Sequence, residues 1–291
     1  METAINNTPK RVTFADKFSK FKIRFLRAFW LIALLILIKI SLPIFNTYYS
    51  ISKFQEHYFT IELVDNHAVY TEVNTRPATW LPIEKISKRV QQAIISSEDG
   101  KFYLHPGYDL EQLRDAINDS FVLKKKMRGA STITQQLVKN LYLSHDKTFG
   151  RKARELVMAL MIEKHADKQK ILETYLNIIE YGKDLYGIDK ASHYYFNKSA
   201  GSLNAREAAF LAMLLPSPVK YSRSFKNKSL TPFAKRMIDS ILLKMRQAGY
   251  ISEEEYNTQL NGRFAWEKTP SAEVIQDEQT SGSEEEDNSD N

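Results

Sequence analysis

Arg128-Gly129-Ala130-Ser131-Thr132-Ile133-Thr134-Gln135-Gln136-Leu137-Val138-Lys139-Asn140 crowds five hydroxyl or amide side chains into positions 131, 132 and 134–136. A core helix would carry leucines there, and a solvent face would carry charges. Gly129 lets backbone approach closely. Ser131 and Thr132 are good N-cap types, and Ile133, Leu137 and Leu141 follow at one-sided helical spacing. A helix N-terminus bearing free N–H groups, hydroxyls and amides, with Lys139 two turns on, suits an anion. The same residues also make an ordinary capped helix.

A second stretch runs from Ser96 to Gly107. Glu98-Asp99 ends a segment of helical periodicity, where negative charge is unfavourable by a few tenths to about 1 kcal/mol. A carboxylate kept there is a candidate for catalysis; a merely solvated helix-end acid is the plain alternative. His105 reads as a structural hydrogen-bonder before the Pro106-Gly107 turn. No other His or carboxylate lies at ligand spacing to it, which argues against a zinc-type site. In a third stretch, Arg151-Lys152-Ala153-Arg154-Glu155, residues 151 and 155 form an i,i+4 pair suited to a wet face. The residues that follow (Leu156, Val157, Ala159, Leu160, Met161, Ile162) are apolar all round. A helix wet for one turn and then buried would bring that charged turn to the rim of a cleft. Lys168–Asn177 and Gly187–Lys198, with Asn177 and the aromatic cluster 194–196, read as core architecture.

The elements that must position these residues are mostly helical. Ile83, Ile86, Val90 and Ile94 share a helical face behind Pro82, and Leu110, Leu113, Ile117 and Phe121 repeat the pattern after Asp109. Further periodic runs follow Arg151 and Lys168. Ala205–Leu214 stops at Pro216-Ser217-Pro218, Thr231-Pro232 opens a helix that Gly249 closes, and Ser252–Glu255 reads as a capping box. Phe59–Val64 and Ala68–Val73 flank Asp65-Asn66 as a small hairpin. The chain thus divides into a basic segment 1–28, an apolar segment 29–51, a juxtamembrane stretch 52–74, a helical body 75–262 and an acidic tail 263–291 too poor in apolar residues to fold.

Charge is unevenly placed over the 291 residues: +5 in residues 1–28, −8 in residues 273–291, and +9 in between, for a total of +6. A basic body seeks phosphates. Cysteine is absent, which excludes a disulfide scaffold and thiolate metal sites. Phe29–Phe45 at helical rise covers roughly 25 Å, extendable towards Ile51, and Lys39 can snorkel. Seven basic residues precede the segment and only Lys53 follows in the next twenty, which places the N-terminus in the cytoplasm. A retained anchor is favoured over its rival, a cleaved signal peptide, because no small-x-small cleavage site follows.

Taken together and in order, the stretches resemble the family 51 glycosyltransferases, the peptidoglycan polymerases. Glu98–Gly107 is similar to that family's E-D-x-x-F-x-x-H-x-G block, Gly129–Asn140 to G-A-S-T-I-T-Q-Q-x-x-K-N, and Arg151–Glu155 to R-K-x-x-E. Ile171–Asn177 resembles I-L-E-x-Y-L-N, and Ala191–Lys198 resembles A-x-x-Y-F-x-K with one extra residue before Tyr195. No transpeptidase domain follows, so the likeness is to the monofunctional biosynthetic transglycosylases. The resemblance implies a mainly α, lysozyme-like fold with a membrane-apposed lobe. It implies polymerisation of lipid II into β-1,4-linked glycan by inverting displacement of undecaprenyl pyrophosphate, outside the inner membrane. Glu98 matches the general base and Glu155 the second carboxylate. Ser131, Gln135, Gln136 and Lys139 match donor-site positions, with Lys147 and Arg154 adding positive charge and Arg114, Thr132 and Arg151 as further candidates. No cofactor is required; a divalent magnesium or manganese ion, with Glu155 as a ligand, is compatible. Expected partners are lipid II, polyprenyl-pyrophosphate-linked glycan, the membrane and other cell-wall synthesis proteins, with no nucleic acid.

Two features depart from the pattern. Family members usually carry a basic residue where this chain has Asp115, with Arg114 beside it, and the acidic tail has no family counterpart. A lytic transglycosylase or lysozyme-like hydrolase shares the fold and a catalytic Glu but needs no cationic pyrophosphate site. A catalytically silent scaffold rests on Asp115 alone.

Overall fold

The computed structural model describes residues 14–111, 114, 131–143 and 149–268. The chain divides at Ile51/Ser52 into two units. The first is most of one helix, α1 (Phe14–Ser52, 39 residues). Its 24 residues from Phe29 to Ser52 are long and apolar enough to cross a membrane, by length and composition. At 1.5 Å per residue they extend about 36 Å, against roughly 30 Å of hydrocarbon. The helix begins at Phe14, well inside the basic segment 1–28 and before the apolar run. Phe14, Phe18, Phe21 and Phe25 recur at helical spacing, and once a helix is nucleated each added residue gains a hydrogen bond.

The second unit opens with the expected hairpin. β1 (Tyr58–Val64) pairs antiparallel with β2 (His67–Val73), Val64 opposite His67. Its two-residue turn needs positive φ at both positions, supplied by Asp65 (50°) and Asn66 (61°), types that tolerate it. The Lys170 ammonium lies 4.0 Å from the Tyr58 ring centre. Trp80 Nε1 donates to Glu173 at 2.7 Å, and the Asn177 amide accepts from Leu81 N–H at 2.9 Å and donates to Leu81 C=O at 2.8 Å. Asn177 is therefore architecture, as its surroundings in sequence suggested.

The helix expected behind Pro82 begins later. Ile83–Lys85 forms one 3₁₀ turn, and α2 (Lys88–Glu98) starts after Ser87, whose hydroxyl accepts the Arg89 N–H. Ile83, Ile86, Val90 and Ile94 are all buried nonetheless. Then come α3 (Ile133–Tyr142), α4 (Phe149–His165), α5 (Lys168–Ile178), a two-stranded β3 (Glu180–Gly182) and β4 (Leu185–Tyr186), and α6 (Ile188–Phe196). α7 (Ala205–Leu214), the single turns α8 (Pro218–Tyr221) and α9 (Arg223–Lys226), α10 (Pro232–Gln247) and α11 (Glu253–Leu260) complete the body. Every residue of α7 is buried, including Arg206 and Glu207 in its first turn, and α2 and α10 pack on it. α3 packs on α4 and α5.

Two boundary expectations are corrected. Ser252 caps α11 by accepting the Glu255 N–H, but the Glu255 carboxylate pairs with Arg89 rather than closing a capping box. The body also runs past residue 262: Phe264 is buried and stacks on Trp266 with ring centres 4.9 Å apart, and both meet Phe210 of α7. Aromatic area pulls these residues in where the surrounding polar composition suggested a tail. The periodic run after Asp109, Asp115, Lys147 and the acidic residues from 273 on lie outside the described residues.

Candidate active site

The site is built on the junction between the end of α2 and the start of α3. Asp99, 1 % exposed, caps α2 and accepts the Ile133 N–H at 3.0 Å through Oδ2. Its Oδ1 lies 2.7 Å from His105 Nε2. His105 Nδ1 accepts the Gly107 N–H at 3.1 Å, so the ring proton sits on Nε2 and donates to Asp99. Gly107 (φ +91°) passes so close to α4 that a Cβ there would lie 2.8 Å from Glu163 Cγ and 3.3 Å from the Ala159 carbonyl oxygen. Its own carbonyl accepts from Thr132 Oγ1 at 2.7 Å. His105 is thus the structural hydrogen-bonder expected from sequence. Together with Asp99 it ties the helix ends.

That tie sets Glu98 against Gln136. Gln136 Nε2 donates to Glu98 Oε2 at 2.9 Å, while Gln136 Oε1 accepts from the Tyr175 hydroxyl at 2.8 Å. Burial, reinforced by the charge of Glu98, holds the Tyr175 phenol well above its ordinary pKa, so it remains a donor. A donor at Tyr175 fixes which end of the amide faces Glu98. Burial also pushes the Glu98 carboxyl above the usual carboxylate range, and the Asp99 charge adds to this. Hydrogen bonds from Gln136 and Ser97 and the charge of Lys244 pull the other way. Glu98 is consequently a half-buried carboxylate whose hydrogen-bond donors, Gln136 and Ser97, are both neutral. Sequence reading took Tyr175 for core and Gln136 for an anion ligand; only the spatial meeting of 98, 136 and 175 shows the relay.

The second carboxylate has the opposite surroundings. Glu155 is 2 % exposed; its Oε2 accepts from Arg151 Nη1 at 3.2 Å and its Oε1 from the Lys152 ammonium. Lys152 also donates to Ser131 Oγ at 3.0 Å. The expected wet turn on α4 is present, with Lys152, Ala153 and Arg154 exposed, but the turns after it are buried on one side only. Glu155, Ala159 and Ile162 form the buried stripe, whereas Leu156, Val157 and Leu160 are 36 %, 56 % and 38 % exposed. Only one side of the helix can face α3, whatever its composition elsewhere. Arg154 is exposed, and its Nε donates locally to the Gly150 carbonyl. Lys152, not Arg154, is the basic residue brought to Ser131, and nothing in the spacing distinguished them.

The polar block at 131–139 thus splits by role. Thr132 caps α3, accepting the Gln135 N–H at 3.2 Å while Gln135 Oε1 accepts the Thr132 N–H at 3.2 Å, a reciprocal capping box. Both side chains are buried and hold the helix start, a structural role that the expected anion contacts did not foresee. Thr134 likewise donates inward to Glu163 at 2.5 Å. Ser131 and Gln136 are half-buried, and Lys139 is exposed. Gln136, Lys139 and Tyr175 line a cleft of about 570 Å³ whose other walls include Tyr70 of the hairpin, Glu180 and Val219. Glu98 lines a separate cleft of about 550 Å³ with Lys244 and Tyr250. A cavity of about 390 Å³ beneath the hairpin holds neither carboxylate. Arg114 is exposed. Among the described residues no group of three or more His, Cys, Asp or Glu could hold a metal. Both Glu155 oxygens already accept from cations, so the donors present do not fit a divalent ion there.

A family model described as transglycosylase matches residues 65–246. The biosynthetic peptidoglycan transglycosylase of Shewanella amazonensis is 44 % identical over 170 residues, 58 % of this chain and 67 % of that protein. Penicillin-binding protein 1F of Bacillus subtilis is 42 % identical over 191 residues, 65 % of this chain and 25 % of that protein. A crystal structure of penicillin-binding protein 1A from Haemophilus influenzae aligns over 78 % of this chain and 24 % of its own, with 18 % identity and a TM-score of 0.34, too distant to carry an argument.

Proposed function

We propose a mechanism for this chain, which belongs to the transglycosylase family and is a peptidoglycan glycosyltransferase: two membrane-linked saccharides meet across α3, with Glu98 on one side and the cationic Ser131–Lys152–Glu155 group on the other. The acceptor's 4-hydroxyl attacks C1 of the donor sugar. Its proton passes to Glu98, the new C1–O bond forms, and the bond from C1 to the pyrophosphate oxygen breaks. A hydroxyl is a weak nucleophile, and a positioned base contributes perhaps 10²–10⁴-fold. The departing pyrophosphate is already stable as an anion and needs fixed donors and cations rather than an acid. Lys139, Ser131 and Lys152 supply them in this reading, with Arg114, Lys147 and Arg154 as further contacts; Glu155 and Arg151 hold Lys152 in place. Attack opposite the leaving group turns an α-linked donor into a β-1,4 link. Lipid II and its polyprenyl-pyrophosphate-linked polymer are the substrates that this chemistry requires.

One observation carries the reading: Gln136, on the first turn of α3, reaches Glu98, and Ser131, just before its cap, reaches Lys152. A hydrolase needs the first contact but not the second. The apolar helix Phe29–Ser52 serves as the anchor, with the N-terminus cytoplasmic and the body outside the inner membrane. Exposed Leu156, Val157 and Leu160 suit a lobe lying against lipid. No step is routed through a metal. The test incubates the full chain with lipid II in the presence of a chelator. Glycan polymer is expected from the wild type and none from Glu98→Gln; polymer from Glu98→Gln would remove Glu98 from the role of base.

A further inference from the structure

The mechanism leaves unused the wall that faces Glu98 from the other side of its cleft. That wall is the end of α10 and the turn after it, where Lys244, Gln247, Ala248 and Tyr250 line the same space as Ser97 and Glu98. α10 packs directly on α2. Ile241, Leu242 and Met245 are buried on its inner side, which fixes the last turns of the helix against the core. Lys244 is exposed and makes no hydrogen bond or ion pair among the described residues. An unpaired ammonium beside a desolvated carboxylate needs an account that neither packing nor a salt bridge provides.

We propose that Lys244 is a positioning residue for the reaction: presented across the cleft by α10, its ammonium keeps the Glu98 carboxylate ionised and ready to take the acceptor's proton. This rests on the reading of Glu98 as base. The groups around Glu98 are few. Its own segment brings the Ser97 hydroxyl and the Asp99 carboxylate, α3 brings the Gln136 amide, α5 the Tyr175 hydroxyl, and the far wall Lys244 and the Tyr250 phenol. Asp99 is engaged by His105 and the Ile133 N–H, and its charge opposes ionisation of Glu98. Gln136 and Ser97 are neutral, and burial keeps the Tyr175 phenol protonated. Lys244 is the one cation among the described residues lining this cleft. A base must be ionised at working pH yet basic enough to accept a proton. Burial supplies basicity and Lys244 restores ionisation. After the transfer, the same positive charge favours release of the proton from Glu98 to solvent, which regenerates the base.

The test follows lipid II polymerisation by the full chain against pH for wild type, Lys244→Met, Lys244→Arg and Glu98→Gln. Lys244→Met is expected to lose roughly three- to tenfold in kcat at about pH 6 and to approach the wild-type rate as pH rises, its acidic limb moved upward. Lys244→Arg should follow the wild-type profile, and the melting temperature of Lys244→Met should be unchanged because the side chain is exposed. An acidic limb that stays in place overturns the proposal. So does a uniform loss at every pH carried by KM, which would make Lys244 a contact of the acceptor itself. Glu98→Gln separates the two levels. If it polymerises, the base reading falls; if it is inactive while the Lys244→Met limb does not move, only the role of Lys244 falls.

Discussion

Glu98 and Glu155 are the same side chain in two opposite environments. Glu98 meets two neutral donors at the end of α2, with burial holding its carboxyl above the usual range. Glu155 is more deeply buried but accepts from Arg151 and Lys152. A carboxylate short of positive partners holds a proton well; one enclosed by cations orients them and gives up its basicity. Environment rather than residue type sets the two apart, which is what the proposed division between proton transfer and charge organisation requires of a pair of carboxylates.

Exchanging each Glu for Gln should therefore move stability in opposite directions. At Glu155 the change removes the carboxylate that Arg151 and Lys152 share and puts a neutral amide in its buried place, and a loss on the order of 2–3 kcal/mol is expected. Urea unfolding would read it, and a stability equal to wild type would mean that the ion pairs contribute nothing. At Glu98 the folded carboxyl pKa is raised, so the native state binds the proton more tightly than the unfolded chain. The stability this contributes is complete below the unfolded pKa and is lost as pH rises through the folded one. Glu98→Gln removes that loss. Its melting temperature should match wild type in acid and exceed it at neutral and higher pH, while polymerisation falls at least about a hundredfold. A Glu98→Gln protein less stable than wild type at neutral pH would erase the contrast.

Two smaller effects sharpen the comparison. Lys152→Ala removes the link between Ser131 and Glu155, whereas Arg154→Ala removes an exposed side chain bonded within its own turn. Activity on lipid II should drop about ten- to a hundredfold for the first and several times less for the second; equal losses would show that net charge on α4 matters more than geometry. Tyr175→Phe deletes the hydroxyl that fixes the Gln136 amide. A fall in kcat of roughly five- to tenfold with about 1 kcal/mol of stability is expected, and the pH profile is the sharper readout, because an amide free to turn no longer presents its NH₂ to Glu98.

Residue type and spacing were enough to read several parts of this protein before any coordinates. The periodicities marked the buried face of α2, the Asp65-Asn66 turn announced the hairpin, and the apolar run marked a segment long enough to span a bilayer. The Glu98–Gly107 and Gly129–Asn140 blocks pointed to the family that residues 65–246 confirm. These are local properties: they follow from helical or strand repeat, turn chemistry and composition over a few residues. The division of labour within the polar block was not local. Thr132 and Gln135 look as suited to an anion as Ser131 and Gln136, yet the first two turn inward to close a capping box and the others face Glu98 and Lys152. Likewise Tyr175 stands in a motif block that did not reveal its partner, and Lys244 carries no signal at its position, since their roles depend on α5 and α10 being folded against residues 39 and 146 positions away. A motif names the groups that can do the chemistry; which of them touch, and what charge each one feels, is decided only when distant helices bury one face and leave the other open.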